Sequence, residues 1–137
     1  MARQQKTAVL VARQGPLRDS LLALLRVLPE IDHIHYLEDI DVVPALAGHI
    51  VPGIVLIDGD LVSPATRTAL RQVRTRWPET GFILFANDVE QQNEAQKVGL
   101  GLVLLKGHPA AHLVNLIKRL TTVPHRNVLA GERASPS

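Results

Sequence analysis

The sequence predicts an α/β fold: a doubly wound three-layer sandwich with a parallel five-stranded sheet in the order 2-1-3-4-5. Three observations carry the prediction. The run Ile54-Val55-Leu56-Ile57 passes without a polar break into Asp58-Gly59-Asp60, the pattern of a strand buried on both faces that delivers a carboxylate to its C-terminal edge. Apolar runs of strand length alternate along the chain with segments whose apolar residues recur at helical spacing, which implies right-handed crossovers. Finally, 137 residues, 46% hydrophobic and 20% charged, suit one domain with a real core, since domains cluster at about 100–150 residues.

The elements follow in order. Thr7 to Ala12 is a short apolar run rich in Val, fit for a central strand. Gly15-Pro16 marks a turn, and Leu17, Leu21, Leu24, Leu25 and Leu28 then line one helical face up to Pro29. His33 to Leu37 alternates weakly, as an edge strand does, and Ile40 to Ala47 makes a short helix ended by Gly48. The central strand, Gly53 to Asp58, comes next. Ser63-Pro64 is a helix start, with a hydroxyl to cap free amides and a proline where no N–H is missed. That helix, to Arg76, sets Leu70, Val73 and Trp77 on one side and Arg67, Arg71 and Arg74 on the other, and Pro78 stops it. Phe82 to Ala86 is a fourth strand, Val89 to Val98 a helix, and Gly99-Leu100-Gly101 a break before the fifth strand, Leu102 to Leu105, which ends in Lys106. Pro109 opens a last helix whose buried stripe is Leu113, Leu116, Ile117 and Leu120. Residues 1–122 thus form one domain, and 123–137, without periodicity, a flexible C-terminal tail or linker stub.

Composition narrows the function. A formal charge of +2 is small for a protein built to neutralise phosphates, so no direct nucleic-acid binding is expected. The stripe Arg67, Arg71, Arg74 reads as an exposed basic helix face, and the four aromatics form no stacking platform. The absence of cysteine excludes disulfides, thiolate metal sites and a Cys nucleophile. No segment approaches the ~20 apolar residues of a membrane span, and the opening is too polar for a signal peptide. A soluble cytoplasmic protein is expected, not an enzyme. No Ser-His-Asp arrangement is suggested, and Gly99 and Gly101 follow a helix and precede a strand, the reverse of a dinucleotide loop. His108 and His112, four apart, offer a metal edge without a third ligand.

In the 2-1-3-4-5 order the first and third strands meet at the switch point, where ligands collect. That puts Arg13, just past the first strand, beside Asp58, with Ala86 and Lys106 on the same rim. A guanidinium there can hold a carboxylate two-pronged; the alternative is that Arg13 points to water.

Read this way, the chain resembles a response-regulator receiver domain, the CheY-like, flavodoxin-like phosphoacceptor module of two-component signalling. The resemblance covers about residues 6–122 and rests on Ile54 to Asp58, on Gly99 to Lys106, and on Ala8 to Leu25 with its Leu-rich helix. It implies a phosphoacceptor position at Asp58 and a phosphoryl-pairing lysine at Lys106. The two adjacent acidic Mg²⁺ ligands of the family fall at Ala12-Arg13, the hydroxyl residue at Ala86, the switch aromatic at Val103, and the usual Met-Pro at Leu61-Val62. Asp58 and Asp60 remain, a poor set for Mg²⁺, so no cofactor and no metal site are expected.

The reading that follows is an atypical pseudo-receiver, a phosphorylation-independent protein-interaction module in signal transduction or transcription regulation. Its pocket is Asp58, Arg13, Asp60, Ala86 and Lys106. Its partner, or a second copy in a homodimer, would dock on the last two helices and the fifth strand. The alternative is a working receiver in which Asp58 takes phosphate from a histidine kinase, or the N-terminal part of a longer DNA-binding regulator.

Overall fold

The computed structural model describes residues 6–99 and 101–122, so the expected tail 123–137 lies outside the described residues. The strands are β1 (Lys6–Val11), β2 (Ile31–Leu37), β3 (Ile54–Asp58), β4 (Gly81–Ala86) and β5 (Leu102–Leu105). The helices are α1 (Pro16–Arg26), α2 (Val43–Leu46), α3 (Pro64–Arg76), α4 (Val89–Val98) and α5 (Ala110–Thr122). All strand pairs are parallel, in the order β2-β1-β3-β4-β5. The expected fold class and strand order are those found. Among the described residues, no helix is long and apolar enough to cross a membrane.

Strand alternation builds two cores from one sheet. Val9, Val11, Val55, Ile57, Phe82 and Leu84 face one way, against Ile40 and Val43, Leu70 and Val73 of α3, and Trp77. Ala8, Leu10, Ala12, Ile54, Leu56, Ile83 and Phe85 face the other, against Leu21, Leu22 and Leu25 of α1 and Leu113, Ile117 and Leu120 of α5. Every residue of β4 is buried, because it lies between two strands and two helical layers. Trp77 is 1% exposed, and its indole N–H donates to the Ile50 carbonyl at 2.9 Å, which fixes the entry to β3.

Three local expectations change. The short helix expected over Ile40 to Ala47 is a 3-10 turn, Ile40–Val42, followed by α2; Pro44, without an N–H, sits where one hydrogen-bonding pattern gives way to the other. Leu116 is only half-buried, at the margin of the α5 stripe. The stripe Arg67, Arg71, Arg74 of α3 does not oppose the core: Arg67 and Arg74 are half-buried, Arg71 is exposed, and the Arg74 guanidinium lies 5.7 Å from the Phe82 ring centre. At about 100° per residue these positions flank the Leu70–Val73 stripe instead of facing away from it.

The start of α3 is as the sequence predicts. Ser63 Oγ accepts from the Thr66 N–H at 3.3 Å and Thr66 Oγ1 accepts from the Ser63 N–H at 2.8 Å, a reciprocal capping box with Pro64 at the first helical position. Ser63→Ala is expected to cost about 1 kcal/mol, read as a lower urea midpoint with an unchanged slope.

Candidate functional site

The C-terminal ends of β3, β4 and β5 make one rim. Asp58 ends β3 opposite Phe85, and Ala86 ends β4 opposite Leu105, so Lys106 emerges one residue beyond. The Lys106 N–H donates to the Ala86 carbonyl at 2.8 Å, which carries the pairing one residue past β5. With β4 between them, β3 and β5 stand about 9–10 Å apart, a span that a four-carbon stem crosses.

Lys106 does cross it. Its Nζ lies 2.8 Å from Asp58 Oδ1 and 3.0 Å from Asp60 Oδ2, so one ammonium bridges both carboxylates. Asp58 Oδ1 also accepts from the Asp60 N–H at 2.9 Å and thereby caps the 3-10 turn Gly59–Leu61. Asp58 is 16% exposed and Lys106 24%, so the pair is partly shielded from water. Burial works against the Lys106 charge, but its hydrogen bonds to Asp58 and Asp60 outweigh this and hold its pKa above the usual 10.5.

Asp60 is the better-connected acid. Its Oδ1 accepts from the Asn87 side-chain amide and from Gln91 Nε2 at 3.2 Å, while Oδ2 takes Lys106. The Lys106 hydrogen bond, then that of Gln91, lowers its pKa below 3.8 despite some desolvation. Gln91 is itself braced. Its Oε1 accepts from the Asn87 backbone N–H at 2.7 Å, and its own N–H donates to Asp88 Oδ1 at 2.8 Å, the N-cap of α4. Gly59 makes this closeness possible: a Cβ there would stand 2.6 Å from the Phe85 carbonyl oxygen and 3.2 Å from Gln91 Oε1.

The structure brings together Asp58, Asp60, Ala86 and Lys106. It does not add Arg13 to them. Arg13 is exposed beyond the end of β1 and forms no ion pair among the described residues, and the cation on Asp58 is Lys106. The physical reason is position: Arg13 stands on an exposed turn past the end of β1, where its guanidinium is solvated, while the Lys106 stem crosses from β5 to Asp58 Oδ1. Asn87 and Gln91 are the site residues that the sequence reading missed. The signal for them was faint: Asp88 three residues before Gln91 has the spacing of a helix cap. His108 Nε2 and His112 Nδ1 lie 2.7 Å apart, yet His108 precedes α5 instead of belonging to it.

Mg²⁺ takes near-octahedral oxygen ligands and is held by carboxylates together with waters, and both carboxylates of this rim are engaged by Lys106. Asp58 and Asp60 share one ammonium, Ala12 is fully buried and brings no side-chain oxygen, and Arg13 brings a positive charge. Among the described residues, no group of three or more His, Cys, Asp or Glu is arranged to hold a metal ion.

No protein-family model and no curated protein matches the chain. Solved structures do. The chain is similar to the signal receiver domain of an HD domain-containing protein from Pseudomonas fluorescens Pf-5, with TM-score 0.73, 19% identity, and 98% of this chain and 96% of that one covered. A LuxR-family two-component response regulator from Aurantimonas sp. SI85-9A1 aligns with TM-score 0.70 and 20% identity over 96% of this chain and all (100%) of that one. The receiver domain of a sensor histidine kinase from Pseudomonas aeruginosa PAO1, which has a magnesium ion coordinated in its active site cleft, gives TM-score 0.71 and 18% identity, covering 88% of this chain and 100% of that one. At these identities the likeness is one of fold: the chain has the receiver fold of two-component response regulators.

Proposed function

We propose that this chain, built on the receiver fold, is a pseudo-receiver: a cytoplasmic protein-interaction module for signalling or transcription regulation that works without phosphoryl transfer or Mg²⁺. The observation that carries the reading is the Lys106 ammonium, bridging Asp58 and Asp60 at 2.8 and 3.0 Å. Accepting a phosphoryl group would ask a carboxylate already engaged by a cation and a backbone N–H to attack an anionic donor, and the rim offers no metal-ligand set to offset that charge. Ala86, buried at the end of β4, has no hydroxyl to follow such a group, and Val103 packs in the core without a ring to rotate. Catalysis is no part of this reading.

The partner, a protein of the same signalling system or a second copy, docks in this reading on α4, β5 and α5, where the exposed Val89 opens α4. The rival reading makes Asp58 the acceptor for a histidine kinase. Incubation with acetyl phosphate and Mg²⁺, followed by intact-mass measurement, separates the two. No phosphoryl mass gain is expected; a stoichiometric adduct that maps to Asp58 would overturn the proposal.

A further inference from the structure

An exposed aspartate ordinarily satisfies itself with water or with a neighbour a few residues away. Asp60, half exposed, instead draws donors from 27, 31 and 46 residues along the chain: Asn87 after β4, Gln91 in α4, and Lys106 after β5. Those three side chains converge on one carboxylate, and two of them are held in place by other bonds. Gln91 is fixed by the Asn87 N–H, and Lys106 is shared with Asp58. Such a convergence of an ammonium and two amides is an oxyanion subsite. Here the chain fills it.

We propose that Asp60 is the resident anion of this rim: its carboxylate occupies an oxyanion subsite formed by Lys106, Asn87 and Gln91, and so ties the first turn of α4 to the ends of β3 and β5. The proposal rests on the reading of the chain as a module that acquires no phosphoryl group. A delivered anion would have to gather the β4–α4 loop and the β5 lysine around Asp58. The carboxylate of Asp60 already gathers them, so the start of α4 is held in one arrangement without any input. The ligand class of the subsite is a small carboxylate or similar oxyanion, supplied in cis.

Amide hydrogen exchange of the full chain tests this, with two reporters: the Asn87 N–H, which donates to Gln91 Oε1, and the Gln91 N–H, which donates to the Asp88 cap at the start of the same helix. In Asp60→Ala their exchange is expected to quicken about tenfold, while core amides of α1 and α3 keep their rates and certify the fold. Sodium formate should restore protection to Asp60→Ala beyond what sodium chloride does at equal ionic strength, because the small carboxylate re-enters the vacated subsite. Asp60→Asn, which fills the space without the charge, should stay fast and ignore formate. Unchanged Asn87 and Gln91 exchange in Asp60→Ala, or equal effects of formate and chloride, would refute the proposal. Phosphorylation of the wild-type chain is a separate readout: it would remove the proposed function while leaving these exchange rates as measured.

Discussion

Arg13→Asp is expected to strengthen Mg²⁺ binding at the rim. β1 and β3 pair with Val11 opposite Ile57, so the chain at position 13 leaves the sheet one residue past the level of Asp58. Adjacent parallel strands lie about 4.8 Å apart, which brings a short acid at position 13 within reach of a shared ion. The change removes one positive charge and adds one negative, a swing of two units at a site that already holds Asp58 and Asp60. Position 12 is the wrong place to attempt this. Ala12 is fully buried among Leu10, Leu21 and their neighbours, and a carboxylate there would be desolvated. Titration calorimetry or amide shifts against Mg²⁺ should show at least a tenfold gain in affinity over wild type, about 1.4 kcal/mol. Equal affinity in the two proteins would mean that the charge at position 13 does not set the affinity of the rim for the ion.

Much of this architecture is legible in the residues themselves. Ile54 to Ile57 and Gly81 to Ala86 are apolar throughout because both faces of each strand are covered, and the sheet order follows from alternation and length. Asp58 and Lys106 are legible for the same reason: each is the first charge after an apolar run. What sequence alone misses is direction. It brings Arg13 to the correct end of the sheet, yet which of two cations reaches Asp58 depends on where each stem leaves its strand and which way it runs. Asn87 and Gln91 are ordinary polar residues at a helix start, and they matter only because Gly59 lets the chain pass close beneath them. For the α3 arginines the difference is one of angle, since positions 67, 71 and 74 lie beside the core stripe and not behind it.

Lys106→Met should unmake the rim while keeping the stem. Methionine retains an apolar chain of similar length, so packing changes little and the lost quantity is charge. Two carboxylates then face each other without their shared cation. The expected loss at neutral pH is about 2 kcal/mol, the scale of hydrogen bonds to charged groups, reduced because Asp60 is half exposed. The pH dependence fixes the assignment. The Asp60 pKa is lowered in the folded chain, chiefly by Lys106, so its contribution is present above 3.8 and disappears as pH falls through the folded value. The Lys106 pKa is raised, so its contribution is complete below 10.5 and disappears as pH climbs through the folded value. Wild type should therefore lose this stabilisation at both extremes. Lys106→Met should lack the alkaline limb and keep only a weakened acid limb, because Gln91 and Asn87 still donate to Asp60, and the gap between the two proteins should be widest across the intervening range and narrow in acid and in strong alkali. Urea unfolding from pH 3 to pH 11 reads this directly. A gap that stays constant over that range would assign the loss to packing and would refute the electrostatic account of the rim.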